Sequence, residues 1–593
     1  PVLGRWVQED EYLSGNVKDK LKMARGAGLE ANIKALEAVQ PVDVAPQDIH
    51  AEFGATWIRP SVYEDFLKLF GYTNPQVSVL PKSGAVEATS AGTPGASIFR
   101  ADVENSDYSI VDVFSAAANR RQLIAYDGSG DDRHINPERT ENLGRIRNKM
   151  IAIWRDWIKS DAERADLLAR DYNEMMNTTV ERKYDGVRHL RTVGANPAIS
   201  LRNSQKDSSW RMIQSNVTLM DHVVGAGKTI AITTGLMERK RLGLSKKPMV
   251  VVPNHLVGQW ARDWMALYPG ANILAATEKD FAKANRRRLF ARIATGKFDA
   301  IIVGHSSFGF IPVSSEAEVQ FVMKEVEFLE DALTEAKTAE SSKKGKGDSR
   351  RVRGIKNRIA KRMEKIKELQ DKPRDNVVSF EDMGVDYLAV DEFHEFKNLE
   401  YATTLSNVAG MGSPEGSKKA FDLYMKLRLL QEWGGGVAGA TGTPISNSLV
   451  EMYSLLRYLN PGALAARNLE QFDAWVKMYA SIEPRDEYTA AGKIKQRTVL
   501  AAFNNLPELL QMYKQVADTV TMSDLKRITA EQIRTENRMK GESKREEFPV
   551  PKVKGGTRRL DIGAPTDEQV EFMDYLIARA DILDKMKGKE KQA

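Results

Sequence analysis

The chain has 593 residues, 42% of them apolar, a formal net charge of +6 and no cysteine. That length carries about three or four domains with substantial cores, and the lack of cysteine excludes a disulfide framework and thiolate zinc sites. No run approaches the roughly 18 apolar residues of a membrane span, and the mild positive charge permits polyanion binding by local patches without demanding it.

Residues 1–195 read as a helical N-terminal domain or connector. The stretch GNVKDKLKMARGAGLEANIKALEAV is amphipathic, and a later one places Ile146, Met150, Trp154 and Ile158 on one face with Trp157 beside them. Aromatics at helical spacing belong to a core rather than to a base-stacking platform.

From 196 the pattern changes to short apolar runs, each ending in a chemically loaded turn. The first is DHVVGAGKT, Asp221 to Thr229. Gly225 and Gly227 let backbone N–H groups, that of Ala226 among them, converge on a phosphate without interference from Cβ, Lys228 adds a point charge, and the Thr229 hydroxyl suits magnesium. The helix that follows, IAITTGLMERKRLG, aims its positive dipole end at the same anion. ATP with Mg2+ is therefore the expected cofactor pair, although His222 stands where a strict phosphate loop has glycine.

This first part, 196–313, is separated from its continuation, 377–462, by an insertion at 314–376. There Val319, Val322, Val326, Leu329, Leu333 and Ala336 step by 3 and 4, and Val352, Ile355, Ile359, Ile366 and Leu369 form a second seam. An acidic first arm and a basic second arm predict an antiparallel helical hairpin with a polar tip at 337–351.

In the continuation, the run Tyr387 to Val390 predicts a buried parallel strand with Asp391 and Glu392 at its carboxyl end, where open α/β sheets bind ligands. Asp391 would hold magnesium and Glu392 would orient or deprotonate water. Val437 to Ala440 is another strand, ending in Thr441, Gly442 and Thr443, whose hydroxyls are placed to sense a γ-phosphate. Residues 463–552 read as a helical linker.

These blocks, in this order, resemble motifs I, II and III of superfamily 2 helicases, and most of all the Swi/Snf-type DNA translocases. DEFHEFKN echoes that branch's DEAH-type motif II, and TGTPISNSLVEMYSLLRYL matches its motif III. The resemblance implies that Gln205, in LRNSQ, reads adenine; that His394 with Thr441, Gly442 and Thr443 couples the site to DNA; and that Asn254, His255, His305 and Ser306 touch nucleic acid. Phe393 replaces the usual alanine, His222 and Val223 replace an acidic pair, and Lys397 follows Glu395-Phe396 rather than a basic pair. The mix resembles the phage- and plasmid-encoded helicases fused behind an adenine-N6 methyltransferase, including the defence-against-restriction B type.

The expected fold is therefore α/β: a RecA-like P-loop lobe with a parallel sheet, a coiled-coil insertion and flanking helical domains. The expected function is ATP-dependent DNA translocation in antirestriction or DNA processing, in a bacterial host's cytoplasm or packaged in a virion. Double-stranded DNA bound without sequence preference is the expected partner, with no membrane. Asn74, Asn136 and Asn196 each precede a single proline, so the Asn-Pro-Pro-aromatic motif of such methylases is absent and any methyltransferase lies elsewhere in the parent polypeptide. Residues 553–593 resemble the opening of a second RecA-like lobe, and no Q-x-x-G-R-x-x-R pattern appears. An arginine finger is worth roughly 10³ to 10⁵ in turnover. The chain thus reads as a weakly active fragment of a longer polypeptide, the alternative being a non-motor, ATP-gated DNA-binding or virion-associated antirestriction protein.

Overall fold

The structure, a computed structural model, describes residues 6–80, 84–91, 108–128, 134–340, 350–371, 378–403, 405, 408–446, 448–488, 494–540 and 563–585. Its centre is a parallel sheet built from β1 (Val217–His222), β2 (Pro248–Val252), β3 (Ile273–Ala275), β4 (Ala300–Gly304), β5 (Tyr387–Val390), β6 (Gly436–Thr441) and β7 (Ala517–Val520). The seven strands lie in the order β7-β1-β6-β5-β2-β4-β3, every neighbouring pair parallel. This is the α/β, RecA-like class expected.

The near-continuous apolar runs follow from burial on both faces. Leu219, Met249, Val251, Leu388, Val390 and Val437 enter one core, while Met220, Val250, Val252, Ala389, Ala438 and Ala440 enter the other. Helix α1 (Asn203–Gln214), α2 (Lys228–Arg241) and α3 (Val257–Leu267) cover the second face through Met212, Ile232, Leu236, Trp260 and Trp264. Register aligns the carboxyl ends: Thr441 pairs with Asp221, Val390 with Gly439 and with Val251, and Gly304 with Val252. The turns that leave β1, β6 and β5 consequently emerge side by side at one edge.

The insertion forms α4 (Ser315–Glu340) and α5 (Arg350–Asp371). Val322, Val326 and Leu329 face Val352, Ile355 and Ile366, and Glu325–Arg362 and Glu318–Lys365 ion pairs at 3.0 and 3.4 Å match the two arms. The base also rests on α6 (Lys418–Glu432), where Phe321 meets Phe421 and Tyr424 edge-on. The tip at 341–349 lies outside the described residues.

The N-terminal region is helical around an aromatic core. Trp154 is fully buried, stacks on Phe53 at 4.7 Å between ring centroids, and donates its indole N–H to the Ala51 carbonyl. Strands Asn74–Leu80 and Ala85–Ala91 add an antiparallel pair that the helical reading of 1–195 lacks. This region is joined to the lobe by the buried ammonium of Lys477, which donates to the Gly84 carbonyl and to Asn119 Oδ1 at 2.7 Å.

The reading of 463–552 as a helical linker is corrected. Ala480–Tyr488 and Ile494–Phe503 pair as an antiparallel hairpin, and Ala517–Val520 is the seventh strand, added to the sheet beside β1. Its four residues, ADTV, give no apolar run because Asp518 and Thr519 sit at a sheet edge, and only the partner strand defines it. Of the segment expected to open a second lobe, Asp567–Lys585 is a helix exposing Phe572 and Tyr575, and 553–562 lie outside the described residues.

Candidate active site

The turn after β1 takes its shape from two glycines. Gly225 and Gly227 have φ of 85° and 84°, a region that side-chain-bearing residues avoid, and Gly227 caps α2 without a side chain in the way. A Cβ on Gly227 would lie 2.1 Å from Gln205 Nε2, so glycine is needed for close approach as well. Lys228 is the first residue of α2 and its Nζ donates to the His222 carbonyl at 3.0 Å, arching over the turn. Thr229, half-buried, follows it on the first helical turn.

Below the turn, His222 is buried and its Nε2 lies 2.9 Å from Asp518 Oδ2 on β7. Ser208 Oγ of α1 donates to the same oxygen at 2.5 Å. Burial alone would raise the Asp518 carboxyl; the bonds from His222 and Ser208 and the nearby Arg211 charge outweigh it and hold the group low. The histidine that departs from the phosphate-loop pattern thus bolts the turn to the edge strand. From above, Ala226 packs on Val520 and Leu525, the latter on the helix Met522–Lys540.

Asp391 leaves β5 almost wholly buried, at 7% exposure. Its Oδ1 accepts the N–H of Glu392 at 3.0 Å and its Oδ2 accepts the indole N–H of Trp260 at 3.1 Å. Burial first, then repulsion from Glu392, pushes its carboxyl up, while the Trp260 bond and the Lys228 charge pull it back. The Lys228 charge thus links the phosphate turn electrostatically to the acid pair. Glu392 adopts φ 50°, ψ 51°, a left-handed conformation that costs a residue other than glycine about 1–3 kcal/mol and that clusters at functional sites.

The third turn closes the group. Thr441 is fully buried, and its Oγ1 lies 3.1 Å from His394 Nδ1, which is also 3.2 Å from Glu392 Oε2. The Thr443 N–H donates to Thr441 Oγ1 at 3.1 Å, and a Cβ on Gly442 would sit 3.7 Å from Lys228 Nζ. Lys397 reaches the other flank of this turn, bonding Ser446 and pairing with Glu451 at 3.0 Å. Lys228, Asp391, Glu392, His394, Thr441, Gly442 and Thr443 therefore form one constellation at the carboxyl edge of three adjacent strands, spaced about 4.8 Å apart.

This donor set fits a magnesium nucleotide. The turn is shaped by left-handed glycines, and a buried carboxylate disfavoured by a like charge gains from a cation. Among the described residues no cluster of three or more His, Asp or Glu could hold a metal alone; Asp391 and Thr229 would supply the few protein ligands typical where phosphate oxygens and water complete a magnesium shell.

Two expected roles meet a different geometry. Gln205 is 4% exposed; its Oε1 accepts the Arg202 N–H at 2.8 Å and its Nε2 donates to the Ala226 and Gly227 carbonyls at 3.2 and 3.4 Å. Both ends of the amide are thus engaged with backbone, and the side chain braces the turn from behind. His305 is corrected as a nucleic-acid contact: it is buried against Phe396, and its Nε2 donates to the Asp391 carbonyl at 2.9 Å. Burial drives its pKa down to about 4, so the ring is neutral at pH 7. The other three positions remain on the surface side. His255 is exposed, and Asn254 and exposed Ser306 bond reciprocally at 2.9 and 3.1 Å, joining the turns after β2 and β4.

Trp260, Asp518 and Arg202 were not singled out from the sequence. Trp260 looks like an ordinary core residue of an amphipathic helix, and only its proximity to Asp391, 131 positions away, reveals the indole N–H as a ligand of the carboxylate.

The fold and the site define a P-loop nucleotide-binding lobe of helicase type. Residues 210–521, more than half of the chain, match the family described as a probable helicase domain, and the chain belongs to that family. Residues 52–178 match a second family, described as a domain of unknown function, DUF8437. Among solved structures, the chain is similar to the Sulfolobus solfataricus SWI2/SNF2 ATPase core in complex with dsDNA, at 15% identity and a TM-score of 0.26 over 48% of this chain. The match spans 39% of that relative's length. Among curated proteins none matches the chain. Among the described residues no helix is long and apolar enough to cross a membrane.

Proposed function

We propose that this lobe binds ATP with magnesium and hydrolyses it under the control of double-stranded DNA, as the motor half of a Swi/Snf-type translocase. The observation that carries this reading is the meeting of Lys228, the Asp391–Glu392 pair and the Thr441–Thr443 turn at one sheet edge, with the Lys228 charge acting on Asp391 and His394 bridging Glu392 to Thr441. Lys228 and the N–H groups of the glycine turn would bind and orient the phosphates. Asp391 and Thr229 would hold magnesium, which when bound supplies charge neutralisation at the phosphate oxygens. Glu392 would orient the attacking water and accept its proton.

Control by DNA would act through Asp391. Trp260 and His305, which hold Asp391 by its carboxylate and its carbonyl, lie on the segments that carry Asn254, His255 and Ser306. A duplex backbone seated on those three residues would bear on both bonds. The contacts are to phosphate, so binding would be independent of sequence and sensitive to salt. The departures from the Swi/Snf spelling at His222, Val223 and Phe393 support the finer setting, a phage- or plasmid-borne DNA-processing or antirestriction protein.

The test is ATP turnover titrated with random-sequence duplex, in the wild-type chain and in Lys228→Ala. Turnover should rise with duplex and vanish in the variant. Turnover indifferent to both changes would overturn the reading.

A further inference from the structure

The helix Lys283–Thr295, KANRRRLFARIAT, holds five cations and no acid. Leu289, Phe290 and Ile293 are buried beneath it, while Lys283, Arg287 and Arg288 are exposed, with exposed Lys279 in the turn before. Lys283 and Arg287, and Arg288 and Arg292, stand four residues apart, where like charges on a helix repel by about 0.2–0.5 kcal/mol per pair. On the helical hairpin, by contrast, cations meet acids: Arg362 meets Glu325, Lys365 meets Glu318 and Lys324 meets Glu432. Here the two nearest acids in sequence are engaged locally. Asp280 accepts the N–H and hydroxyl of Thr277, and Glu278 Oε1 accepts from Asn254. Among the described residues no carboxylate lies within ion-pair distance of Lys279, Lys283, Arg287 or Arg288.

This basic face is continuous with the surface already proposed to meet DNA. The Glu278–Asn254 bond, 3.2 Å, ties its leading turn to the loop after β2, and the Arg286 guanidinium lies 4.6 Å from the centroid of the Phe310 ring, in the segment that follows Ser306. The turn at 276–282 leaves β3 at the same edge as the other site turns.

We propose that Lys283, Arg287 and Arg288 form a second nucleic-acid contact, extending the track of Asn254, His255 and Ser306 along the phosphate backbone of a duplex. A row of exposed cations with no carboxylate in ion-pair reach among the described residues suits a polyanion, and its continuity with those loops favours nucleic acid over an acidic protein. The inference rests on the translocase reading above.

The experiment is fluorescence anisotropy of the chain with a short random-sequence duplex over a range of salt, comparing wild type with the triple variant Lys283→Gln/Arg287→Gln/Arg288→Gln. A charge-matched control is Lys22→Gln/Arg25→Gln/Lys34→Gln, exposed cations of the N-terminal region of which two are paired with Glu174 and Glu37. Each phosphate contact contributes about 0.9 to the slope of log K against log salt. The first variant should bind at least about tenfold more weakly, with a slope shallower by roughly 2 to 3, and the control should bind like wild type. Equal affinity and slope in wild type and the first variant would overturn the second contact while leaving the translocase reading intact. Equal losses in both variants would reduce the effect to net charge and overturn it too, as would binding of polyglutamate as tight as that of the duplex. Absence of duplex binding by the wild type at low salt would refute both this contact and the proposed control by DNA.

Discussion

Trp260→Phe isolates one hydrogen bond at the centre of the site. The indole is 2% exposed and donates to Asp391 Oδ2 at 3.1 Å, and phenylalanine keeps an aromatic ring while removing the donor. A hydrogen bond to a charged group is worth about 1.5–3 kcal/mol, and leaving a buried carboxylate without it raises the free energy of the ionised form by that order. Asp391 is already pushed up by burial and by Glu392, and the Trp260 bond is among the contacts that hold it down. Its loss should therefore push the carboxyl further up. Only the carboxylate can hold magnesium, so ATP turnover should be lost as pH falls through this pKa, and in the variant that loss should begin at higher pH. In the absence of nucleotide and metal the sign for stability is opposite: an acid raised by folding contributes stability below its unfolded pKa that is lost as pH rises through the folded one. The assay is a pH profile of duplex-stimulated turnover at saturating magnesium, beside thermal unfolding. A lower melting temperature with an unmoved acid limb would make Trp260 a packing residue and refute the reasoning.

Gly227→Ala should abolish nucleotide binding, since a side chain is strained at φ 84° and its Cβ meets Gln205 Nε2; retained binding in a titration with a fluorescent ATP analogue would contradict this. Glu392→Gly should raise stability by about 1 kcal/mol by relieving a left-handed backbone while eliminating turnover, and a melting temperature that stays level or falls would deny the strain. Asp518→Ala removes the shared acceptor of His222 and Ser208 and should cost about 1–3 kcal/mol near neutral pH. Because the Asp518 carboxyl is held low, that contribution is present above the ordinary carboxylate range and lost as pH falls through the lowered pKa, so denaturant midpoints of variant and wild type should converge in strong acid.

The chemistry-bearing turns are legible in the sequence because each is local. A glycine-lysine-threonine turn, an acid pair after YLAV and a TGTP corner each announce a function within a few residues, and short apolar runs between them announce a buried parallel sheet. What the sequence conceals is set by contacts across long separations. His222 looks like a defect in a phosphate loop until Asp518, 296 positions away, arrives on an edge strand whose ADTV spelling carries no periodic signal. His305 and Ser306 are adjacent in sequence, yet one ring turns inward to the Asp391 carbonyl while the neighbouring hydroxyl stays at the surface. Gln205 has the expected address, but its amide bonds the carbonyls of the very turn it was expected to complement. In each case residue type and position are readable, and side-chain direction is decided by packing.

The claim on which the account turns is that the lysine turn and the acid pair serve one bound nucleotide. A double-mutant cycle on equilibrium binding of ATP with and without magnesium, using Lys228→Ala, Asp391→Asn and the pair together, tests it most directly. Lys228→Ala should weaken binding by roughly 30-fold, the scale of a charge-assisted contact of about 2 kcal/mol, Asp391→Asn should remove the magnesium dependence, and the pair should be coupled by at least about 0.5 kcal/mol. Independent effects that simply add, or a wild-type chain that binds no ATP, would contradict it.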